Sequence, residues 1–270
     1  MRPVYQIVAC VRRDWRLARS SAVGLAWQAS AVLFATPVLY YVGRLVHRDT
    51  PSLRPYGGDY FAFVIVGVAC SGFLMSAMGA CAAATRQEQI GGTLDALLTL
   101  PVPRWILAAS VCVWPMTVAA LQTLLYLGFG LMLFHVDLSQ VNLPGVAVMA
   151  VLALAAFGAL GLFSTAFVLF FRRAEPFTGL AAAAGALLSG LLYPIDVLPP
   201  RARAVAEILP LTHALHGLRL AALRNAGPSD LRAPALALLV WCAVAVPAGV
   251  LAVRWAYDEA RRSGTLCGYG

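Results

Sequence analysis

Charged residues gather in short clusters along the chain, and between them lie six uncharged apolar runs, residues 20–43, 60–85, 105–134, 138–171, 176–195 and 233–253. Each reaches the roughly 20 residues that a helix needs to cross hydrocarbon. The runs lack the alternating polar pattern of a membrane barrel strand, and unpaired backbone cannot face lipid, so the pattern predicts an all-α membrane protein with six transmembrane helices.

Three shorter stretches depart from the spanning pattern. Before the first run, Val4, Ile7, Val8, Val11, Trp15 and Ala18 recur at helical spacing, flanked by Arg12, Arg13, Arg16 and Arg19. This describes an amphipathic helix over residues 1–20 lying in the membrane interface, with a simple topological charge anchor as the alternative. Residues 193–232 hold Pro194, Pro199, Pro200 and Pro210 yet keep apolar residues such as Val205, Ile208, Leu211 and Leu215. They are too broken to span and too apolar for a solvated loop, which predicts re-entrant outer helices over about 193–224, divided near Pro210; a loop resting on the interface is the other possibility.

The third stretch, QEQIGGTLDALLTLPVPRW at 87–105, places Ile90, Leu94, Leu97 and Leu98 on one helical edge. Gly91 and Gly92 let the chain turn from the second span, Thr93 can cap the new turn, and Pro101 and Pro103 stop it. A helix this short is marginal alone in water, so it must pack, either on its own bundle or in a groove of a soluble partner.

Composition agrees with the pattern. The 270 residues are 61% hydrophobic and 12% charged, against about a quarter charged in soluble domains. All 20 basic residues are Arg, in keeping with GC-rich bacterial coding. Twelve of them fall on the side that receives both ends, against eight on the other, so both termini are expected in the cytoplasm. The arginine-rich start lacks a cleavage site, and no cleaved leader is expected. Four of the six cysteines lie in apolar runs and imply no disulfide or metal framework. The net charge of +8 suits anionic lipid better than nucleic acid.

Several chemistries lack their residues. The runs hold no Asp, Glu, Lys or Arg of the kind that marks ion and proton pathways, although carbonyls and hydroxyls at broken helices could still hold sodium. A P-loop needs a Lys, and there is none, so the chain is expected not to be an ATPase. His213 and His216 stand at i and i+3 with no acidic or cysteine ligand near them in sequence, and read as interfacial polar residues rather than a metal site. Neither Ser71 nor Ser189 sits in a G-x-S-x-G frame.

The run Glu88, Gly92, Thr93, Leu94, Asp95, Leu97, Leu98 and Pro101 resembles the E-x-x-x-G-T-L-E-x-L-L-x-x-P signature of ABC-2 type transporter permeases, with Asp95 in place of the usual Glu and Leu100 where Thr is common. LLYPIDVLPP at 191–200, with Tyr193, Pro194, Pro199 and Pro200, looks like the family's FP-x-x-x-LP element. ILPLTHALHGLR at 208–219, with Pro210, Leu211, Thr212 and Arg219, is similar to its PLT segment followed by an Arg. The resemblance implies a six-span permease domain over residues 21–256 with a cytoplasmic tail at 257–270. It implies a coupling helix at about 88–100 that docks on a separate ABC ATPase, where ATP and Mg bind, and an outer gate around Pro210. It further implies two permease copies forming a homodimer in the bacterial cytoplasmic membrane, which would export a hydrophobic, lipid-linked, glycan or drug-like cargo. An ion-coupled secondary transporter is the rival from another class.

Overall fold

In the computed structural model, the described residues are 34, 36–43, 51–56, 59–90, 123–125, 141–171 and 175–262. The interfacial helix with Arg12, Arg13, Trp15, Arg16 and Arg19, the stretch from Gly91 to Pro101, nearly all of the third run and the end of the tail lie outside them. Every regular element among the described residues is helical. Six α-helices follow in order: α1 Tyr60–Ile90, α2 Leu143–Phe171, α3 Glu175–Leu188, α4 Pro200–Ile208, α5 Pro210–Leu223 and α6 Pro228–Arg262. There are also two 3-10 turns, Pro51–Tyr56 and Ile195–Val197, and residues 36–43 and 123–125 are helical as well.

Two helices among the described residues are long and apolar enough to cross a bilayer, over Leu143–Val168 and Pro228–Ala256. α1 has 31 residues and is apolar over Tyr60–Ser76. At 1.5 Å per residue α1 is about 46 Å long, against roughly 30 Å of hydrocarbon in a bilayer. The sequence places the coupling helix from about residue 88, but Glu88 to Ile90 still belong to α1, because nothing between Thr85 and Ile90 breaks a helix before the Gly91–Gly92 pair.

The fifth apolar run also ends differently from its pattern. Its helix, α3, has only 14 residues and stops at Leu188, about 21 Å in length and too short to span. The chain leaves the helix through Gly190 at φ +73, a left-handed conformation that a residue without Cβ adopts at little cost. Apolarity continues to Ile195, but helicity does not, and an apolar count cannot see that difference.

α2 is the centre of the bundle. It packs most extensively on α6 and then on α1, with α5 wedged against all three. Met149, Ala153, Ala156 and Phe157, at i, i+4, i+7 and i+8, form its fully buried edge. Gly249 lets α6 close on α2, since a Cβ there would stand 3.1 Å from the Ala159 carbonyl. Leu236, Val240, Val244, Leu251 and Trp255 leave a continuous apolar stripe exposed on α6, the inverse of a soluble helix and suited to lipid.

Helix starts are fixed by side chains that periodicity does not reveal. Asp59 Oδ1 accepts the Phe61 amide at 2.9 Å and caps α1. Asn142 Oδ1 accepts the Gly145 amide at 3.0 Å and caps α2, while its Nδ2 donates to the Ala226 carbonyl at 2.7 Å, tying α2 to the α5–α6 connection. Asn142→Ala is expected to destabilise by about 1.5–5 kcal/mol, the sum of a lost cap and an unpaired carbonyl. Thermal unfolding in detergent measures this, and Asn142→Asp, which keeps the cap acceptor, is expected to lose less.

Candidate outer gate

The depth of each outer residue follows from its neighbours on the long helices. Leu211, at the start of α5, contacts Gly185 on α3, whose missing side chain would also meet Met75 on α1. Met75 lies 15 residues into α1, about 22 Å from its beginning. Trp241, 13 residues into α6, donates its indole N–H to the Ile208 carbonyl at 2.7 Å, which places the α4–α5 junction about 20 Å along α6 as well. At the other end of α5, the Ala221 carbonyl accepts the Asn142 amide at 3.0 Å, next to the start of α2. α5 therefore runs from mid-bundle to the end of the bundle where α1 and α2 begin, antiparallel to α1.

The junction is tied by side chains. The chain divides at Leu209, with Pro210 at the first helical position of α5, where its missing N–H costs nothing. The last carbonyls of α4 have no partners within their own helix. Three side chains supply donors: Thr212 Oγ1 to Ala206 O at 2.6 Å, His213 Nε2 to Glu207 O at 2.7 Å and Trp241 to Ile208 O. A carbonyl only accepts, so Nε2 of His213 carries the proton. Upstream, Tyr193 donates through its hydroxyl to Leu187 O, buried Pro194 precedes the turn Ile195–Val197, and Pro199 and Pro200 open α4.

Arg219 is the charged centre of this region. It is 3% exposed and has no carboxylate within ion-pair distance among the described residues. Its guanidinium donates to three carbonyls instead: Nε to Phe63 O at 3.1 Å, Nη1 to Gly190 O at 2.8 Å and Nη2 to Leu191 O at 2.7 Å. The Phe63 ring lies 3.5 Å from Cζ, a cation–π contact in a desolvated setting. Gly190 and Leu191 are the unwound exit of α3, where carbonyl dipoles concentrate negative potential that a cation offsets. Burial lowers the Arg219 pKa to about 10, which leaves it charged at neutral pH.

Above Arg219, Tyr56 Oη lies 2.7 Å from His216 Nδ1. Burial lowers the His216 pKa, with His213 and Arg219 adding to it, so the ring is neutral at pH 7 and Nδ1 accepts the tyrosine proton. The two histidines thus engage different partners and do not converge on a common point.

The outer residues singled out in the sequence fall at two levels: Arg219 holds the exit of α3 near Tyr193 and Pro194, while Leu211 and Thr212 sit about 12 Å away along α5 at the α4–α5 junction, with Pro199, Pro200 and Pro210 at the helix starts. Glu88 is 25 residues further along α1 than Phe63, about 38 Å from the Arg219 clamp. Sequence reading missed Phe63, Gly190 and Trp241 as partners. An isolated buried Arg two turns after a PLT motif was a signal that acceptors had to exist, without saying where.

Residues 5–223 match the ABC-2 type transporter family. The chain belongs to that family. The matched span ends at Leu223, the last residue of α5, so it contains the clamp and both outer helices. A search of curated proteins gives no match. Family membership and the apolar helices make this ABC-2 chain a membrane protein of the ABC transport class, a class whose members associate in general with an ABC ATPase.

Proposed function

We propose that the chain is the membrane-spanning permease subunit of an ATP-driven exporter, pairing with a second copy and docking on a separate ATPase through Glu88, Gly91, Gly92, Thr93, Leu94, Asp95, Leu97, Leu98 and Pro101. Catalysis and the binding of ATP and Mg belong to the partner. The cargo is hydrophobic, lipid-linked or glycan-like, in keeping with spans that carry no acidic or basic side chain. The membrane is the bacterial cytoplasmic membrane, with both termini inside.

The observation that carries this reading is the continuity of α1. One unbroken helix runs from the Arg219 clamp at Phe63 to Ile90, and so includes Glu88, the first of the proposed docking residues. An α-helix transmits an end-to-end displacement as a stiff rod, so a partner moving residues 91–101 also moves Phe63 and with it the outer helices. The outer gate of Tyr193, Pro194, Pro199, Pro200, Pro210, Leu211, Thr212 and Arg219 then responds to an event about 38 Å away.

The test is purification of the tagged chain from native membranes, with ATP-dependent transport after reconstitution. Leu98→Arg places a charge on the apolar docking edge and is expected to weaken ATPase co-purification about tenfold, the equivalent of 1.4 kcal/mol, and to suppress cargo-stimulated hydrolysis while the bundle stays folded. Wild-type coupling in that variant, or transport by the chain alone on an ion gradient, contradicts the reading.

A further inference from the structure

α4 presents three different sides, and they have no common environment. Ala206 is fully buried with Ala202 beside it, facing the bundle. Val205 and Ile208, three apart and therefore on one face, are 49% and 66% exposed, and on that face exposed Arg201 stands one turn nearer the start of the helix, where a long side chain can reach the membrane surface. Arg203 and Glu207, four apart, occupy the remaining face, and Arg203 bonds both Glu207 and Asp196 at 3.1 Å. Their side chains are 45%, 54% and 49% exposed for Arg203, Glu207 and Asp196.

Depth makes this arrangement informative. The end of α4 meets α6 at Trp241, nine residues below Arg232, the last charged residue before the apolar part of α6. That distance is about 13 Å, well inside the hydrocarbon layer. Charged side chains at such depth face protein or water rather than lipid. Irregular and re-entrant backbone is tolerated there when it borders a water-filled space. The polar side also continues upward, because His213 and His216 on α5 are only partly buried, and Asp196 lies close enough to act electrostatically on His216.

We infer that Asp196, Arg203 and Glu207 of α4, with His213 and His216 of α5, line a water-filled vestibule that enters the assembled transporter from outside and reaches the α4–α5 junction, while Val205 and Ile208 meet lipid on the other side of the same helix. The inference deepens the gate reading and rests on it. α4 is the partition between bilayer and water, and its Arg203–Glu207 and Arg203–Asp196 pairs keep that wall polar without leaving a net cation on it. A cargo leaving past the gate meets a hydrated surface at this level, where two carboxylates flank one guanidinium and leave a formal excess of one negative charge.

Thiol labelling in the assembled complex tests this without depending on transport. Glu207→Cys and Arg203→Cys are to be compared with Val205→Cys on the same helix. The probe is a membrane-impermeant cationic methanethiosulfonate added from outside, with labelling of the unsubstituted chain as the baseline. Only an ionised thiolate reacts, so Glu207→Cys and Arg203→Cys are expected to label at least about tenfold faster than Val205→Cys. Equal labelling of all three shows that α4 lies on the outer surface and overturns the inference. No labelling at 203 or 207, with or without disulfide-linked dimers, shows that the face is buried against protein or lipid and overturns it as well. ATPase co-purification of the same variants is expected to be unchanged, so a failure here is separable from a failure of the permease reading.

Discussion

Arg219→Met is expected to destabilise the detergent-solubilised transporter by about 2–6 kcal/mol and to abolish transport. The estimate follows from the two carbonyls of Gly190 and Leu191, for which the guanidinium is the donor. Each buried acceptor left unpaired costs about 1–3 kcal/mol. The Phe63 carbonyl loses less, since it also lies within the α1 ladder, but the cation–π contact of Arg219 with the Phe63 ring disappears too. Methionine preserves apolar volume, so the loss reports hydrogen bonding and charge rather than a cavity. Arg219→Lys keeps the charge but offers a compact ammonium in place of a planar fork, and it is expected to recover only part of the stability. Thermal unfolding of the three proteins, with transport measured in parallel, decides the matter. An Arg219→Met variant as stable and active as the parent would remove the clamp from any account of the gate.

The helical class of the protein and the division of the outer segment were legible in the sequence because they depend on local properties. Apolar runs of spanning length report helices that have no other way to satisfy their backbone, and a Pro at position 210 in an apolar context reports a helix start. α3 was not legible. Residues 176–195 are uniformly uncharged, and the stop at Leu188 depends on Gly190 turning left-handed and on Arg219, 29 residues later, donating to the carbonyls that leave the helix there. A long-range donor leaves no mark on local periodicity. Trp241 belongs to the same category, since in sequence it reads as one more apolar residue of α6, and only the fold shows its N–H at the end of α4. The polar side of α4 was half visible. The i, i+4 pair Arg203–Glu207 can be read from spacing, but its depth cannot, because depth is set by where Ile208 meets α6.

Glycine substitutions along α1 separate these contributions most sharply. Gly to Ala inside a helix ordinarily stabilises by about 1 kcal/mol, through the smaller entropy lost on folding. Gly72 and Gly79 have nothing within 4 Å of the position a Cβ would take, so Gly72→Ala and Gly79→Ala are expected to be neutral or mildly stabilising. Gly67 lies on the same helix and reverses the sign. A Cβ there would stand 2.2 Å from Arg219 Nη2 and 3.0 Å from the Leu191 carbonyl. The guanidinium is the far end of a long side chain, but three carbonyls and a ring hold it, so it cannot swing aside without giving up those bonds. Gly67→Ala is therefore expected to cost about 1–3 kcal/mol, as overpacked core positions do, and to impair transport along with stability. Contacting residues couple by about 0.5–3 kcal/mol, so the alanine is expected to cost distinctly less in the Arg219→Met background, where the clash with nitrogen is gone. A penalty that is the same in both backgrounds would mean that Gly67 serves only the approach of the α3 exit to α1, through Leu191, and that Arg219 settles into a space shaped by others.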